Sequence, residues 1–200
     1  IKLVMLGDAS VGKSSIVQKW VRDVFTDSTE STLGVAFVAK NIVVEDTEIR
    51  LEIWDTAGQE RYASLMPLYY RNADIALIVY DVENSASYQS AIKWLDILVT
   101  PVKILVGNKV DLILDDKSFM QSISSTLLDK NMYDVCPLFS SAKTGRGICE
   151  IFTTSCKIYL EHNTGSNITD LQKHINNLDK DEKSVDIFAF IKEKKRQLCC

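Results

Sequence analysis

The sequence predicts an α/β protein in which a largely parallel sheet carries helices on both faces. Apolar segments of strand type alternate with segments of helical periodicity between residues 75 and 160, the pattern of strands linked by crossover helices. The composition agrees, because 200 residues with 46% hydrophobic and 25% charged side chains are typical of a globular protein with a sizeable core. In such sheets ligands bind beyond the carboxyl ends of the strands.

The first part of the chain contains a strand, a helix and a hairpin. Residues 1–6 are strand-like and lead directly into a glycine-bearing loop. Apolar residues recur at helical spacing over 14–24, which predicts a helix. Two apolar segments, 37–44 and 49–54, flank the polar turn 45–48, so we expect an antiparallel hairpin.

The second part alternates strands with helices and ends in a polar tail. The pattern predicts strands at 75–80, 103–106 and 138–140 and helices at 87–98, 118–128 and 148–160. From about residue 161 the sequence is rich in Asn, Asp, Lys and Ser, with seven acidic and seven basic residues over 161–200. We therefore expect one domain over residues 1–160 and a flexible tail over 161–200.

Charge and hydropathy argue against two classes of protein. Acidic residues outnumber basic ones by 27 to 23, a net charge of −4, whereas general nucleic-acid binders carry a basic excess. The longest apolar run, 75–80, is far shorter than the roughly 18 residues of a membrane span. Because the chain opens at Ile1 rather than at a methionine, we expect that residues upstream are missing.

The cysteines predict neither a disulfide framework nor a zinc site. They number five, with no regular spacing, no Cys-x-x-Cys pair and no nearby histidine. We interpret Cys136, Cys149 and Cys156 as small core thiols in a reducing compartment.

A glycine-rich loop between the first strand and the first helix predicts phosphate binding. It matches G-x-x-x-x-G-K-[ST] and reads Gly7-Asp8-Ala9-Ser10-Val11-Gly12-Lys13-Ser14. Gly7 and Gly12 let the backbone N–H groups turn toward phosphates, and the following helix adds the positive end of its dipole. Lys13 would neutralise the β- and γ-phosphates, and the Ser14 hydroxyl would bind Mg²⁺. A plain glycine turn is the weaker alternative, because strand and helix flank the motif as it requires.

Two further strand ends supply residues for the base. Asn108-Lys109-Val110-Asp111 follows the strand at 103–106, and Ser141-Ala142-Lys143 follows the strand at 138–140. The Asp111 carboxylate can accept the N1–H and 2-amino protons of guanine, which adenine does not offer. The N–H of Ala142 is placed to contact the guanine oxygen.

The loop after the strand at 49–54 predicts hydrolysis of the nucleotide. It reads Asp55-Thr56-Ala57-Gly58-Gln59. Asp55 is placed to hold Mg²⁺ through water, the Gly58 N–H to contact a γ-phosphate, and Gln59 to orient the attacking water. A solvated loop residue is the alternative for Gln59.

These motifs, in this order, resemble the small GTPases of the Ras superfamily and, within them, the Rab family. The resemblance covers nearly all of residues 1–160. The run 54–62, from Trp54 to Tyr62, is typical of Rab proteins, and the run 64–71, from Ser64 to Arg71, is most similar to the early-endosomal branch. The resemblance implies a P-loop NTPase G domain with a six-stranded, mostly parallel sheet and two nucleotide-sensing switch segments.

The resemblance also implies a fuller nucleotide site. Thr32 corresponds to the switch threonine that completes Mg²⁺ coordination with GTP bound, alongside Ser14 and Asp55, and Phe25 to the aromatic residue beside guanine. The implied nucleotide-binding residues are Gly7, Ala9, Ser10, Val11, Gly12, Lys13, Ser14, Ser15, Phe25, Thr26, Asp27, Thr32, Gly58, Asn108, Lys109, Asp111, Ser141, Ala142 and Lys143.

Three aromatic residues, Phe37, Trp54 and Tyr69, correspond to the triad that Rab proteins present to effectors. Trp54 alternates with Leu51 and Ile53, so it points away from the core if those two face it. Burial beneath a helix is the alternative for an aromatic residue in a strand.

The chain departs from the Rab pattern at two places. Ala9 lies where many relatives have a serine next to the γ-phosphate, which bears on the intrinsic rate of hydrolysis. The segment 85–101 is a few residues shorter than usual in the branch, which affects partner contacts on that flank but not nucleotide binding.

The final residues, Cys199 and Cys200, resemble the Rab ending that receives two geranylgeranyl groups. One lipid chain attaches a protein only marginally and two attach it stably, which is a physical reason for a doubled cysteine. Four basic residues against one acidic residue over 192–196 would add attraction to an anionic leaflet. The alternative is a frayed tail with two reactive thiols.

The sequence thus predicts a GTP/GDP switch of vesicle traffic that hydrolyses GTP slowly without an activating protein. The implied partners are an exchange factor, a GTPase-activating protein, GTP-dependent effectors, a GDP-dissociation inhibitor and a prenylation escort protein. The implied location is the cytoplasmic face of endomembranes, at the early endosome, with cycling through the cytosol.

Two other functions compete with this interpretation. A binding module with little GTP turnover is compatible with Ala9 but disfavoured by Gln59. A metabolic P-loop enzyme, such as a nucleotide kinase, is disfavoured because 200 residues leave no lid or second substrate segment.

Overall fold

A computed structural model describes residues 1–27, 32, 34–58, 66–113 and 135–164 of the chain. The first of two compact units spans Ile1–Ile113 and Asp134–Tyr159 and contains the sheet. The second unit lies outside the described residues except for 160–164, the end of a helix. The predicted helix at 118–128 and nearly all of the predicted tail therefore lie outside the described residues.

Six strands form one sheet in the described residues, in the order β2-β3-β1-β4-β5-β6. They are β1 (Lys2–Leu6), β2 (Val35–Val44), β3 (Thr47–Thr56), β4 (Ile75–Asp81), β5 (Val102–Asn108) and β6 (Val135–Phe139). β2 pairs antiparallel with β3, and every other pairing is parallel. The predicted mostly parallel sheet and the predicted hairpin are confirmed.

The hairpin turns through Glu45 and Asp46, which both have positive φ, of 48° and 63°. Two consecutive residues with positive φ suit the right-handed twist of hairpin strands, and an aspartate such as Asp46 tolerates this conformation better than most residues. The turn is shorter than the polar segment 45–48, because Thr47 already pairs with Val44.

The helices are α1 (Lys13–Arg22), α2 (Met66–Tyr70), α3 (Ser85–Ile97) and α4 (Ile148–Asn163). α1 ends at Arg22 because Asp23 adopts a left-handed conformation, with φ 55°, and its N–H bonds to the Lys19 carbonyl. α3 begins before the predicted residue 87, since the Asn84 side chain caps its first turn. α2 was not predicted, because five residues are too few for a periodic pattern.

The core lies on both faces of the central strands. Six consecutive residues of β4, 75–80, are buried, as expected for a parallel strand covered on both sides. Phe152 of α4 is fully buried and stacks on Trp20 of α1 with ring centroids 4.1 Å apart. No helix in the described part of the chain is long and apolar enough to cross a bilayer.

Of the two predicted core cysteines on α4, one is buried and the other is exposed. Cys156 is buried, and burial raises the pKa of its thiol to about 11. The prediction that Cys149 is a core thiol is wrong, since Cys149 is exposed. Its neighbour Ile148 takes the buried face of the first helical turn, and the next residue of a helix points about 100° away.

The topology collects the motif-bearing loops on one side of the molecule. β1, β3, β5 and β6 run in the same direction. Their carboxyl ends therefore meet at one edge of the sheet, and each end leads into one of the loops that the sequence singled out.

Candidate functional site

The phosphate loop has no room for side chains at its two motif glycines. A Cβ at Gly7 would lie 2.1 Å from the Val79 carbonyl oxygen, and one at Gly12 would lie 2.3 Å from Nδ2 of Asn108. Both glycines also have positive φ, of 133° and 94°. The loop is therefore packed against β4 and against the end of β5.

Lys13 reaches back across the phosphate loop. Its Nζ donates to the carbonyl oxygens of Gly7, at 2.8 Å, and Asp8, at 2.7 Å. Burial lowers the pKa of Lys13 to about 8, although the charges of Asp55 and Asp8 act in the opposite direction. A buried ammonium group with three N–H donors and two neutral acceptors is a suitable partner for an anion.

Three oxygen-bearing side chains form a candidate metal centre. The hydroxyl oxygens of Ser14 and Thr32 lie 2.7 Å apart. Burial raises the pKa of Asp55, while a hydrogen bond from Ser14 and the charge of Lys13 act to lower it. Oδ1 of Asp55 is buried and has no hydrogen-bond partner among the described residues. Hydroxyl and carboxylate oxygens with one unpaired buried acceptor fit a hard cation such as Mg²⁺.

Asn108 joins three loops by hydrogen bonds. Its Nδ2 donates to the Val11 carbonyl at 2.9 Å, and its Oδ1 accepts from Oγ of Ser140 and from the N–H of Ala142, both at 3.2 Å. The Asn108 side chain is buried. The Ala142 N–H, predicted to contact a base oxygen, thus bonds to Asn108 here, and its contact with a base stays a prediction.

The carboxylate of Asp111 is held by the loop after β6. Oδ1 of Asp111 accepts a 2.5 Å hydrogen bond from Oγ of Ser141, which itself accepts from the N–H of Thr144. Asp111 lies in a short 3-10 helix, Val110–Leu112, next to the β5 end. The structure therefore brings the two predicted base loops together and orients the carboxylate.

The sequence analysis missed Ser140 and Asp81. Ser140 is fully buried and bonds to Asn108. Oδ2 of Asp81 pairs with Nζ of Lys109 at 2.7 Å, where Lys109 has a φ of 68°. Each is a polar residue at the carboxyl end of an apolar strand, and that position is a signal that could have identified both.

Gly58 packs against the phosphate loop. A Cβ at Gly58 would lie 2.3 Å from the Asp8 carbonyl oxygen and 2.4 Å from the Ala9 nitrogen. The adjacent Ala57 N–H donates to the Gly34 carbonyl at 2.8 Å, which ties this loop to the start of β2. Gln59 lies outside the described residues, so its role stays a prediction.

The remaining predicted nucleotide-binding residues differ in exposure, and among them Val11 bonds to Asn108 through its carbonyl. Phe25 is half-buried, and both Thr26 and Asp27 are exposed. Ala9, Ser10 and Lys143 are exposed, Ser15 is half-buried and Val11 is buried.

A second constellation lies on β2, β3 and α2. Phe37 and Trp54 are directly opposite each other in the β2–β3 ladder, with ring centroids 5.1 Å apart at 63°. Tyr69 of α2 lies 6.1 Å from Trp54. Leu51 and Ile53 are fully buried while Trp54 is half-buried and Phe37 is 52% exposed. The structure thus brings the three predicted aromatic residues into one surface, which we call the aromatic surface.

Lys2 connects this surface to α2. Its Nζ donates to the Arg71 carbonyl at 2.7 Å and lies 5.5 Å from the centroid of the Trp54 ring. The Lys2 backbone N–H donates to Oδ2 of Asp74, whose other oxygen accepts from the Tyr159 hydroxyl. Sequence reasoning did not single out Lys2.

Comparison with known proteins gives one consistent answer. A family model described as "Ras family" matches residues 2–161. The chain is 43% identical to "GTP-binding protein YPT52" of Saccharomyces cerevisiae over 182 residues, covering 76% of this chain and 78% of that protein. It is 45% identical to "Ras-related protein RABF2b" of Arabidopsis thaliana over 156 residues, 76% of each chain. It is 42% identical to "Ras-related protein Rab-5A" of Dictyostelium discoideum over 163 residues, 78% of this chain and 79% of that protein.

Proposed function

The chain belongs to the Ras family, and we propose that its phosphate loop, base loops and oxygen ligands bind guanine nucleotide with Mg²⁺. It is a small GTPase of Rab type, most similar to members of the early-endosomal branch. It acts as a GTP/GDP switch in endosomal vesicle traffic and hydrolyses GTP to GDP and phosphate.

One arrangement carries the assignment of the site. Asn108 bonds at once to the phosphate loop, through Val11, and to the loop after β6, through Ser140 and Ala142. A phosphate-binding loop and a loop suited to a base are thereby held at a fixed separation. A ligand that carries both groups, such as a nucleotide, fits this construction better than a free phosphate does.

Within the proposed site, each polar group has a distinct task. Lys13 donates to the β- and γ-phosphates, and Asp111 accepts from guanine. Ser14, Thr32 and Asp55 would hold Mg²⁺, which supplies positive charge to the phosphate oxygens when bound. The buried Oδ1 of Asp55, which has no hydrogen-bond partner in the described part of the chain, supports this donor set.

Hydrolysis in this proposal depends on positioning. The Gly58 N–H contacts the γ-phosphate, and Gln59 orients the attacking water. Members of this class hydrolyse GTP alone at rates on the order of 10⁻⁴ per second and gain roughly 10⁵-fold from an activating protein. We propose the same dependence here.

The proposal includes protein partners and a membrane. Phe37, Trp54 and Tyr69 bind effectors in the GTP state, and regulators comprise an exchange factor, an activating protein, a GDP-dissociation inhibitor and a prenylation escort protein. Cys199 and Cys200, outside the described residues, carry two isoprenoid groups that attach the protein to the cytoplasmic face of early endosomes.

Base choice tests the nucleotide site. Asp111→Asn exchanges an acceptor pair for one donor and one acceptor, so the variant should lose GTP affinity and gain affinity for xanthosine triphosphate. Competition binding against GTP, with ATP as the control, measures the change. An unaltered preference for GTP in the variant contradicts the assignment.

Turnover separates the switch from a binding module. In single-turnover assays with an activating protein, Gln59→Leu should lower hydrolysis by on the order of 10²-fold while GTP affinity stays intact. Absence of hydrolysis by the wild type under the same conditions would favour the binding module that Ala9 leaves open.

A further inference from the structure

The side chain of Lys19, near the end of α1, is held between two segments of the chain. It is 18% exposed, whereas lysine side chains are mostly exposed in folded proteins. Its Nζ lies 2.6 Å from Oδ1 of Asp23, one helical turn further along. Because lysine commonly buries its aliphatic stem and keeps its ammonium group at the surface, the two parts of the Lys19 side chain can contact different partners.

The stem of Lys19 packs against the loop after β6. A Cβ added at Gly145 would lie 3.0 Å from Cε of Lys19 and 3.8 Å from its Nζ. Gly145 leaves this space free, and its φ of 85° is one that residues with a side chain rarely adopt. The N–H of Gly145 donates to the Ser141 carbonyl at 2.9 Å, and Oγ of Ser141 donates to Asp111. Lys19 therefore lies against the loop that orients the Asp111 carboxylate.

The ammonium group of Lys19 holds the end of α1. Asp23 has a left-handed conformation, with φ 55°, and its N–H donates to the Lys19 carbonyl at 2.9 Å. Lys19 thus contacts Asp23 through both its backbone and its side chain, and the side-chain hydrogen bond lowers the pKa of the Asp23 carboxyl group. An ion pair between residues four apart contributes little to helix stability, so the position of this pair is more informative than its strength.

The two segments that Lys19 contacts lead to two walls of the proposed base site. The loop after β6 provides one wall, with Ser141 and Ala142. The residues that follow Asp23 provide the other, with half-buried Phe25. A flat ring held between two walls is released when the walls separate. A side chain that joins the two segments should therefore slow the release of the ring.

We propose that Lys19 is a positioning residue for the guanine base, which ties the end of α1 to the loop that holds Asp111 and thereby slows the release of bound nucleotide. Lys19 needs no contact with the nucleotide in this role, because it acts through Gly145 and Asp23. The inference rests on the proposed nucleotide site and extends it to a residue that lies outside the phosphate and base motifs.

The rate of GDP release from the full chain tests the proposal. A fluorescent GDP analogue is bound with Mg²⁺ and its release is followed after addition of excess unlabelled GDP. Lys19→Ala removes both the stem and the ammonium group, so release should be about tenfold faster than from the wild type. Lys19→Arg keeps an aliphatic stem and a charge, and it should restore the wild-type rate to within about twofold.

Inosine diphosphate separates positioning from a general loosening of the fold. It lacks the 2-amino group, one of the two donors that Asp111 is proposed to accept from guanine. A variant that misplaces Asp111 should lose more of its hold on GDP than on inosine diphosphate, so Lys19→Ala should lower the preference for GDP by about threefold or more. An unchanged preference would overturn the proposal, because a merely destabilised fold would release both nucleotides faster alike.

Lys157→Ala is the matched control. The Lys157 side chain is 23% exposed and pairs with Glu45 of the hairpin turn, outside the loops of the proposed site. Its substitution should lower the melting temperature about as much as Lys19→Ala does and leave the release of both nucleotides unchanged. GDP release that is equally fast from Lys157→Ala and from Lys19→Ala would overturn the proposal.

Asp23→Asn tests the contact with the end of α1. Asparagine also tolerates the left-handed conformation, so this variant loses the charge and keeps the backbone. GDP release should be about threefold faster than from the wild type, and adding Asp23→Asn to Lys19→Ala should cause no further increase. Effects that multiply would overturn the proposal, because the two residues would then act independently.

Two outcomes separate this role from the nucleotide site on which it rests. A wild type that binds neither nucleotide would refute the proposed nucleotide site, and the role of Lys19 with it. A wild type that binds GDP tightly, with the same release rate from Lys19→Ala, would refute the role of Lys19 alone.

Discussion

The edge of the sheet that carries the proposed nucleotide-binding loops, which we call the nucleotide edge, and the aromatic surface are built on opposite principles. At the nucleotide edge, Asn108, Ser140 and Ser141 are almost completely buried, and each hydrogen-bonds to a residue of another loop. On the other side, Phe37 and Leu68 are more than half exposed. Nε1 of Trp54 has no hydrogen-bond partner among the described residues.

The difference reflects two kinds of recognition. A small polar ligand needs donors and acceptors at fixed positions, and a buried, fully paired network holds them there. A protein partner instead covers apolar area, whose contribution depends on the area removed from water more than on direction. Substitutions at the edge should therefore disturb both folding and ligand binding, and those on the surface should disturb partner binding alone.

The largest effect is expected for Asn108→Ala. It leaves the Val11 carbonyl, the Ser140 hydroxyl and the Ala142 N–H without their partner, at about 1–3 kcal/mol for each buried group. GTP affinity should fall by about 100-fold or more, and the melting temperature should fall by several degrees. Asn41→Ala, which removes an exposed bond to Glu48, is the control. Equal effects of the two substitutions would contradict the claim that the buried network stabilises this edge.

Gly58→Ala should have the next largest effect. The new Cβ would meet the backbone of Asp8 and Ala9, so one of the two loops must move. Activated GTP hydrolysis should fall at least tenfold, because Gln59 is the next residue. Gly34→Ala separates collision from strain, since Gly34 has φ 83° but, apart from its chain neighbours, no atom of a described residue lies within 4 Å of the added Cβ. Single-turnover rates that are the same for both variants would show that the close approach is unimportant.

The aromatic surface is tested by a pair of tryptophans. Trp54→Ala should weaken a GTP-dependent effector by about 2 kcal/mol or more, close to 30-fold, with nucleotide affinity unchanged. Trp20→Ala should lower the melting temperature and leave effector affinity unchanged, because Trp20 stacks on buried Phe152 and stabilises the fold. Titration calorimetry and thermal melting measure the two quantities. A large loss of stability in Trp54→Ala would show that Trp54 is a core residue and not part of a binding surface.

Lys2→Met should have the smallest effect. It keeps the aliphatic stem but removes the bond to Arg71 and the charge near the Trp54 ring, an interaction of about 0.5–1 kcal/mol at an exposed site. Effector affinity should fall roughly threefold to fivefold at constant nucleotide affinity, and Lys2→Arg should restore it. If Lys2→Arg does not restore effector binding, the charge of Lys2 does not position the aromatic surface.

Much of the fold could be predicted because its signals are local. Strand and helix patterns predicted every long element of the described residues. The predicted ends differ from the observed ends by a few residues. Those shifts have particular causes: Asn84 caps α3 two residues early, and β5 extends to Asn108 because it stays paired with β4. Cys149 was misplaced because the residue type alone does not give the helix face: it follows Ile148, which takes the buried face, and therefore points away from the core.

The amino-acid sequence by itself determined the fold class, the phosphate loop, the base motifs and the aromatic triad, since each depends on residue type and spacing along the chain. Tertiary structure alone decided which atoms meet. Asn108 bonds to Val11 from 97 residues away, and Lys2 reaches Arg71 from 69 residues away. Sheet register and helix packing set these distances.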